Sequence, residues 1–295
     1  MLFTNSRNQF AKDPAVIRFD GKYYLYYTVL YDDKRIGVGI AVSEDMENWR
    51  ELPDVPLTEA YENRGIGAPA AIVLGNTVHL FYQTYGHGRN DKLCHATSRD
   101  GVNFVKDPTN PIFSPTADWC SGRAIDADVS VFGDRLLLYF ATRDHEMKIQ
   151  KVGGAWAPID SDFSKDTWTQ MEKQALVAPE LLWEGACIEA PATIVNNGKV
   201  FLFYGGSYNC TPQQIGCAVS DDGVFFRKLF VEEPFIPCGA EGDWNSSESG
   251  HPYAFRDDDG RAYLFYQGSA DMGKTWYLTK CEFGFTADNI PYKIG

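Results

Sequence analysis

The segment Asp13-Pro14-Ala15-Val16-Ile17-Arg18-Phe19-Asp20-Gly21-Lys22-Tyr23-Tyr24-Leu25-Tyr26-Tyr27-Thr28 holds two β-rich runs around the turn Asp20-Gly21-Lys22. Aromatic and β-branched side chains favour pleated surfaces. A polar residue beside glycine between two such runs signals a hairpin. The pattern recurs four times. Val78 to Gln83 follows Gly75-Asn76, and Leu136 to Ala141 follows Gly133-Asp134. Val200 to Gly205 follows Asn197-Gly198-Lys199, and Ala262 to Gln267 follows Asp259-Gly260-Arg261.

Each hairpin opens on a related segment, starting at Asp13, Gly67, Asp126, Glu189 and Gly250, with spacings of 54, 59, 63 and 61 residues. A third run follows, seen at Gly37 to Ser43, Lys92 to Ser98 and Ile215 to Ser220. An acidic turn and an aromatic end these units: Ser43-x-Asp45 to Trp49, Ser98-x-Asp100 to Phe104, and Ser220-x-Asp222 to Phe226. The third unit is looser, with Ser161 and Trp168, and the fifth lacks this ending, so residues 1–10 are a candidate to close it. Four short strands repeated five times predict an all-β fold, a five-bladed β-propeller of four-stranded antiparallel blades around a central channel. A β-sandwich pair does not predict a period near 59. The 295 residues divide into five such units, so the expectation is one domain over 1–295 with no appended module.

Composition narrows the function. With 44% apolar and 23% charged residues the chain is globular rather than disordered. A net charge of −13 disfavours nucleic acid and anionic membrane surfaces as partners. No apolar run of 18 residues occurs, so no spanning helix is expected. Seven scattered cysteines without a Cys-x-x-Cys pair fit free thiols rather than a disulfide framework or a zinc ribbon. With no charged-then-apolar leader pattern at the N-terminus, the expected compartment is the cytoplasm.

In a propeller the innermost strand of each blade lines the channel, so equivalent positions converge on one axis. The first aligned position reads Asp13, Gly67, Asp126, Glu189, Gly250: three carboxylates facing one cavity, with two glycines leaving it open. Asp126 and Glu189 belong to neighbouring units, and a nearby negative charge raises an acid's pKa. Asp13 stands across the channel from Glu189. An acid and a base on opposite sides, with room for water, is the inverting glycosidase arrangement, at roughly 6.5–9.5 Å. Each motif alone also reads as a plain turn or loop.

The chain resembles glycoside hydrolase family 43, a family of five-bladed propellers related to families 32, 117 and 130. The resemblance runs from Asp13 to about Phe285 and rests on Asp13-Pro14, Ala124-Ile125-Asp126 and Glu189-Ala190-Pro191. It implies Asp13 as general base, Asp126 as pKa modulator and Glu189 as general acid. Ala127 and Ala190 depart from the family's frequent Pro and Gly. Asp128 lies on the same strand face as Asp126 and could replace it or bind sugar hydroxyls. Lys12 stands where family 32 carries Asn, which argues against a fructan substrate.

The Gly250-His251 pair also matches, and the resemblance implies that His251 helps to hold a structural calcium ion through water. Further candidate substrate contacts are Trp119, a sugar-stacking ring, and Arg64 and Arg123, each three residues before an aligned position. The implied substrate is an arabinose- or xylose-containing oligosaccharide of plant polysaccharide. α-L-Arabinofuranosidase is the first expectation and β-xylosidase the second. Another propeller glycosidase, or a silent glycan-binding propeller, is the alternative.

Overall fold

The computed structural model describes residues 2–171 and 174–294; Met1, Glu172, Lys173 and Gly295, inside the expected span, lie outside the description. Blade I is formed by β1 (Lys12–Phe19), β2 (Lys22–Leu30), β3 (Ile36–Ser43) and β4 (Arg50–Leu52). Blade II follows with β5 (Ile66–Leu74), β6 (Thr77–Thr84), β7 (Leu93–Ser98) and β8 (Phe104–Lys106). Blade III has β9 (Ile125–Phe132), β10 (Arg135–Arg143), β11 (Gln150–Pro158) and β12 (Thr169–Gln170). Blade IV has β13 (Ile188–Asn196), β14 (Lys199–Gly206), β15 (Gln214–Ser220) and β16 (Arg227–Leu229). Blade V has β17 (Glu248–Arg256), β18 (Ala262–Ser269), β19 (Tyr277–Phe285) and β20 (Pro291–Lys293).

Every blade is a four-stranded antiparallel meander, and the whole is the expected five-bladed propeller. The hairpin runs become the second strand of each blade. They supply most of the large, fully buried rings, among them Tyr26, Tyr82, Tyr139, Phe203 and Phe265. The aromatic content is therefore chiefly core, packed between blades. The fifth blade is closed by β20, and the N-terminal segment adds to it: Phe3 and Leu278 exchange main-chain hydrogen bonds of 2.8 and 2.7 Å. All seven cysteines are free thiols. No helix among the described residues is long and apolar enough to cross a membrane.

One residue of each inner strand adopts a left-handed backbone: Asp13 (φ 52°), Ala68 (42°), Asp126 (50°), Ala190 (48°) and His251 (43°). A register shift in the inner strand accompanies each of them. The five-fold equivalence is therefore Asp13, Ala68, Asp126, Ala190, His251. This corrects the alignment read from sequence, which placed Gly67, Glu189 and Gly250 one residue too early. Nor do the two glycines open the cavity. A Cβ on Gly250 would stand 1.9 Å from Gln213 Oε1, and one on Gly67 3.0 Å from Thr28 Oγ1.

Two blades share a buried anchor. Glu184 is fully buried; it accepts main-chain N–H from Glu180 (2.7 Å) and Leu181 (2.8 Å), Lys228 Nζ (2.6 Å) and the Tyr204 hydroxyl (2.7 Å). Blade II repeats the set with Glu62, Lys106 (2.6 Å) and Tyr82 (2.9 Å). Removing one partner of a buried pair strands the other charge. Glu184→Ala is expected to lower unfolding free energy by about 3–5 kcal/mol, and Tyr204→Phe by about 1 kcal/mol, in chemical denaturation. A Glu184→Ala loss no larger than that of Tyr204→Phe would contradict this account.

Candidate active site

The left-handed main-chain N–H groups need acceptors, and the neighbouring blade supplies them. Asp13 N–H donates to Gln267 Oε1 (3.0 Å), and Ala68 N–H to Thr28 Oγ1 (2.8 Å). Asp126 N–H donates to Gln83 Oε1 (2.5 Å), and His251 N–H to Gln213 Oε1 (3.2 Å). These bonds fix the bases of three functional side chains. Four prolines, Pro14, Pro69, Pro191 and Pro252, with Ala127 in the fifth place, follow the left-handed residues and constrict the channel. The space left there is about 20 Å³, room for one water. Beside this constriction a pocket of about 340 Å³ is lined by Asp13, Asp126, Glu189 and His251.

His251 lies between two of the carboxylates. Its Nδ1 is 2.8 Å from Asp13 Oδ1 and its Nε2 is 3.2 Å from Glu189 Oε1. Glu189 Oε1 also accepts Gln213 Nε2 (2.6 Å) and Asn209 Nδ2 (3.4 Å), whereas Oε2 accepts Gln150 Nε2. Both glutamine amides are fixed in orientation by other bonds. Gln213 Oε1 accepts the His251 N–H, and Gln150 Oε1 accepts Arg143 Nε (2.7 Å).

Burial works against charge on His251, but Asp13 and Glu189 outweigh it and hold the ring well above its ordinary value, as an imidazolium. Burial likewise pushes Asp13 up, yet the His251 and Lys12 charges hold its carboxyl far below the usual range. Burial would raise Glu189, but the bond and charge of His251, with Gln213 and Lys12, keep it below its ordinary value. Asp126 is pushed up to about 7 by burial, with the charges of Glu189 and Asp13 adding and His251 opposing. In the free protein the balance at Glu189 therefore favours the anion. Glu189 keeps the charge because the cation touches it.

Of the other expected site residues, Arg123 lines the pocket. Asp128 does not; its carboxylate accepts the Thr193 N–H (2.8 Å) and hydroxyl, and burial pushes it up to about 7. Trp119 packs against the backbone of Gly153, where an added Cβ would meet its ring at 3.2 Å. Arg64 is exposed and donates to Gly86 O (3.0 Å). Sequence reasoning missed Gln83, Gln150, Gln213, Gln267, Asn209 and Arg143. Alignment of the second strands carries part of the signal: Thr28, Gln83 and Gln267 hold one position, while Ala141 and Gly205 hold it in blades III and IV. A Cβ on Gly205 would stand 2.9 Å from the Gln213 amide, so the small residue admits the glutamine from elsewhere.

Among the described residues the calcium expectation meets only three candidate ligands here. Asp126, Glu189 and His251 offer ligand atoms within 4.8 Å of one another, but calcium takes six to eight oxygens. Both nitrogens of His251 face carboxylates, so a calcium ion there would be held chiefly through water and the acids.

Three acids and a histidine in a pocket on the axis of a five-bladed propeller form the arrangement expected from the sequence. The chain matches the model of "Glycosyl hydrolases family 43" over residues 6–290, and it belongs to that family. A curated "Beta-xylosidase" of Xylanibacter ruminicola is 26% identical over 183 residues, 59% of this chain. The match covers 48% of that protein, so the chain spans about half the length of this curated relative. A thermostable family-43 glycoside hydrolase superposes with a TM-score of 0.79 at 20% identity, covering 99% of this chain and 96% of the other. An endo-1,4-beta-xylanase from Bacteroides thetaiotaomicron gives 0.77 at 21% identity, covering 99% and 97%. At these identities the likeness in structure is one of fold.

Asp126 has a measurable consequence. A carboxyl raised in the folded state holds a proton that the unfolded chain releases near its ordinary value of 3.8. Stability therefore falls as pH rises from about 4 to 7 and stays reduced above. Asp126→Asn is expected to raise Tm by several degrees at pH 8 and by little at pH 4.5 in scanning calorimetry. Equal gains at both pH values would contradict the assignment.

Proposed function

We propose that this protein is an inverting, exo-acting glycoside hydrolase that releases terminal pentosyl residues from arabinose- or xylose-containing oligosaccharides. The α-L-arabinofuranosyl group is the first substrate and the β-xylosyl group the second. One observation carries the reading. Asp13 and Glu189 are separated by one imidazole ring and its two polar contacts. That spacing suits the roughly 6.5–9.5 Å of inverting enzymes better than the 5–5.5 Å of retaining ones. The small pocket beside a constricted channel favours one terminal sugar. The name of the curated relative favours the xylosyl alternative.

Asp13, kept ionised by His251 and Lys12, acts as general base. It takes a proton from a water whose oxygen attacks the anomeric carbon. The glycosidic C–O bond breaks on the opposite face, and the leaving oxygen takes a proton from Glu189. Below about pH 7 Asp126 keeps a proton next to Glu189, so the pair holds one proton between two carboxylates. Substrate that displaces a donor from Glu189 would shift that proton towards it. A silent glycan-binding propeller would have no reason to keep this set.

A panel of nitrophenyl α-L-arabinofuranosides and β-xylosides tests the activity, and NMR of the first-formed anomer tests inversion. Glu189→Gln is expected to lose about 10²–10⁴-fold in kcat on substrates with poor leaving groups, and less on activated ones. A retained anomer, or equal loss on both leaving groups, would overturn the assignment.

A further inference from the structure

We propose that the pocket wall beside Glu189 is a carboxylate-binding subsite built on Arg143 and Arg123, so that the preferred substrate carries a uronic acid near the scissile bond. The proposal rests on the glycosidase reading for the identity of the sugar, but its central observation is independent of catalysis.

Two guanidinium groups converge on one neutral oxygen. Arg143 Nε donates to Gln150 Oε1 at 2.7 Å, and a terminal nitrogen of Arg123 donates to the same oxygen at 3.4 Å. Both arginines line the pocket. Among the described residues Arg143 forms no ion pair with a carboxylate. Its other contacts are the Met147 carbonyl (3.4 Å) and the face of Tyr208, 5.2 Å from the ring centroid. The Tyr208 hydroxyl donates to Lys148 O (2.9 Å), which holds the ring in place. Arg123 has one ion pair, a long one from Nε to Asp91 at 3.4 Å.

A half-buried cation with neutral partners has lost hydration without a compensating charge. Arg143 and Arg123 repel each other across the shared acceptor, and only Arg123 has an anion, Asp91, against it. Stacking on an aromatic face leaves the in-plane N–H groups of a guanidinium available, and in Arg143, where Nε and one terminal nitrogen bond Gln150 and Met147, the other terminal nitrogen is left to meet a carboxylate. In a chain of net charge −13 with three acids in this pocket, an unpaired arginine is conspicuous. The deep pocket repels anions, so the acidic group must lie at the wall, on a substituent or on the neighbouring sugar. Inorganic phosphate shares this chemistry. As a nucleophile, however, it would need to sit on the Asp13 side of the sugar, and the arginines adjoin Glu189 through Gln150.

The test is calorimetric titration of the intact protein with methyl β-D-glucuronoside, methyl β-D-glucoside and inorganic phosphate, which requires no turnover. The glucuronoside is expected to bind at least tenfold more tightly than the glucoside. Arg143→Gln should abolish that difference, and Arg143→Lys should restore part of it, with Tm confirming that each variant folds. Equal affinity for the two glycosides overturns the proposal. So does an Arg143→Gln variant that weakens both equally, the mark of a hydroxyl contact. Tight phosphate binding without preference for the glucuronoside overturns it in favour of a free-anion site. If the glucuronoside binds but no glycoside is hydrolysed, the functional reading fails and the subsite stands.

Discussion

The architecture turns on a left-handed residue in each inner strand. Such a conformation costs a non-glycine residue about 1–2 kcal/mol, and its buried N–H costs about 1–3 kcal/mol more if it finds no acceptor. In four blades a side chain of the preceding blade supplies the acceptor: Thr28 to Ala68, Gln83 to Asp126, Gln213 to His251 and Gln267 to Asp13. The last of these runs from the fifth blade to the first. The same bonds therefore stitch the ring, close it, and set the direction in which Asp13, Asp126 and His251 point. Strain of this kind persists where the surroundings over-determine it, which is common at functional sites.

The junction between the third and fourth blades is built differently. There Gln150 turns its amide to the Glu189 carboxylate rather than to a main-chain N–H. Ala141 stands where the second strands of other blades carry Thr28, Gln83 or Gln267. Blade IV has Gly205 at that place, and Gln213 reaches in from the loop before β15. Two glutamines thus grip the two oxygens of one acid. The symmetry of the ring is broken at Glu189, the residue proposed as the acid.

Much of this was legible in the residues. The hairpin turns and the period near 59 residues give the five blades, because a strand's pleat and a polar-glycine turn are local properties. The convergence of Asp13, Asp126 and Glu189 followed from the repeat. The register did not, since the segments were aligned on their acids. Aligned on Pro14, Pro69, Pro191 and Pro252, the same segments place Ala68, Ala190 and His251 beside Asp13. The proline is the better marker because it fixes its own φ and restrains the residue before it, whatever side chain that residue carries. The glutamines and Arg143 were beyond reach for another reason. Their partners lie 4 to 254 residues away, and nothing local in the chain distinguishes a bonding glutamine from a solvated one.

The charge balance of the site follows from where the one histidine falls. Three buried carboxylates cannot all ionise in a confined pocket unless cations stand among them. His251 occupies the left-handed position of the fifth blade and touches the acids of blades I and IV, but among its polar contacts none is to Asp126. Asp13 and Glu189 keep their charges, and Asp126 takes the proton. Had the cation stood in another blade, the same three acids would have divided base, acid and proton reserve differently. In the proposed mechanism the roles follow from the position of His251 rather than from the identity of the acids.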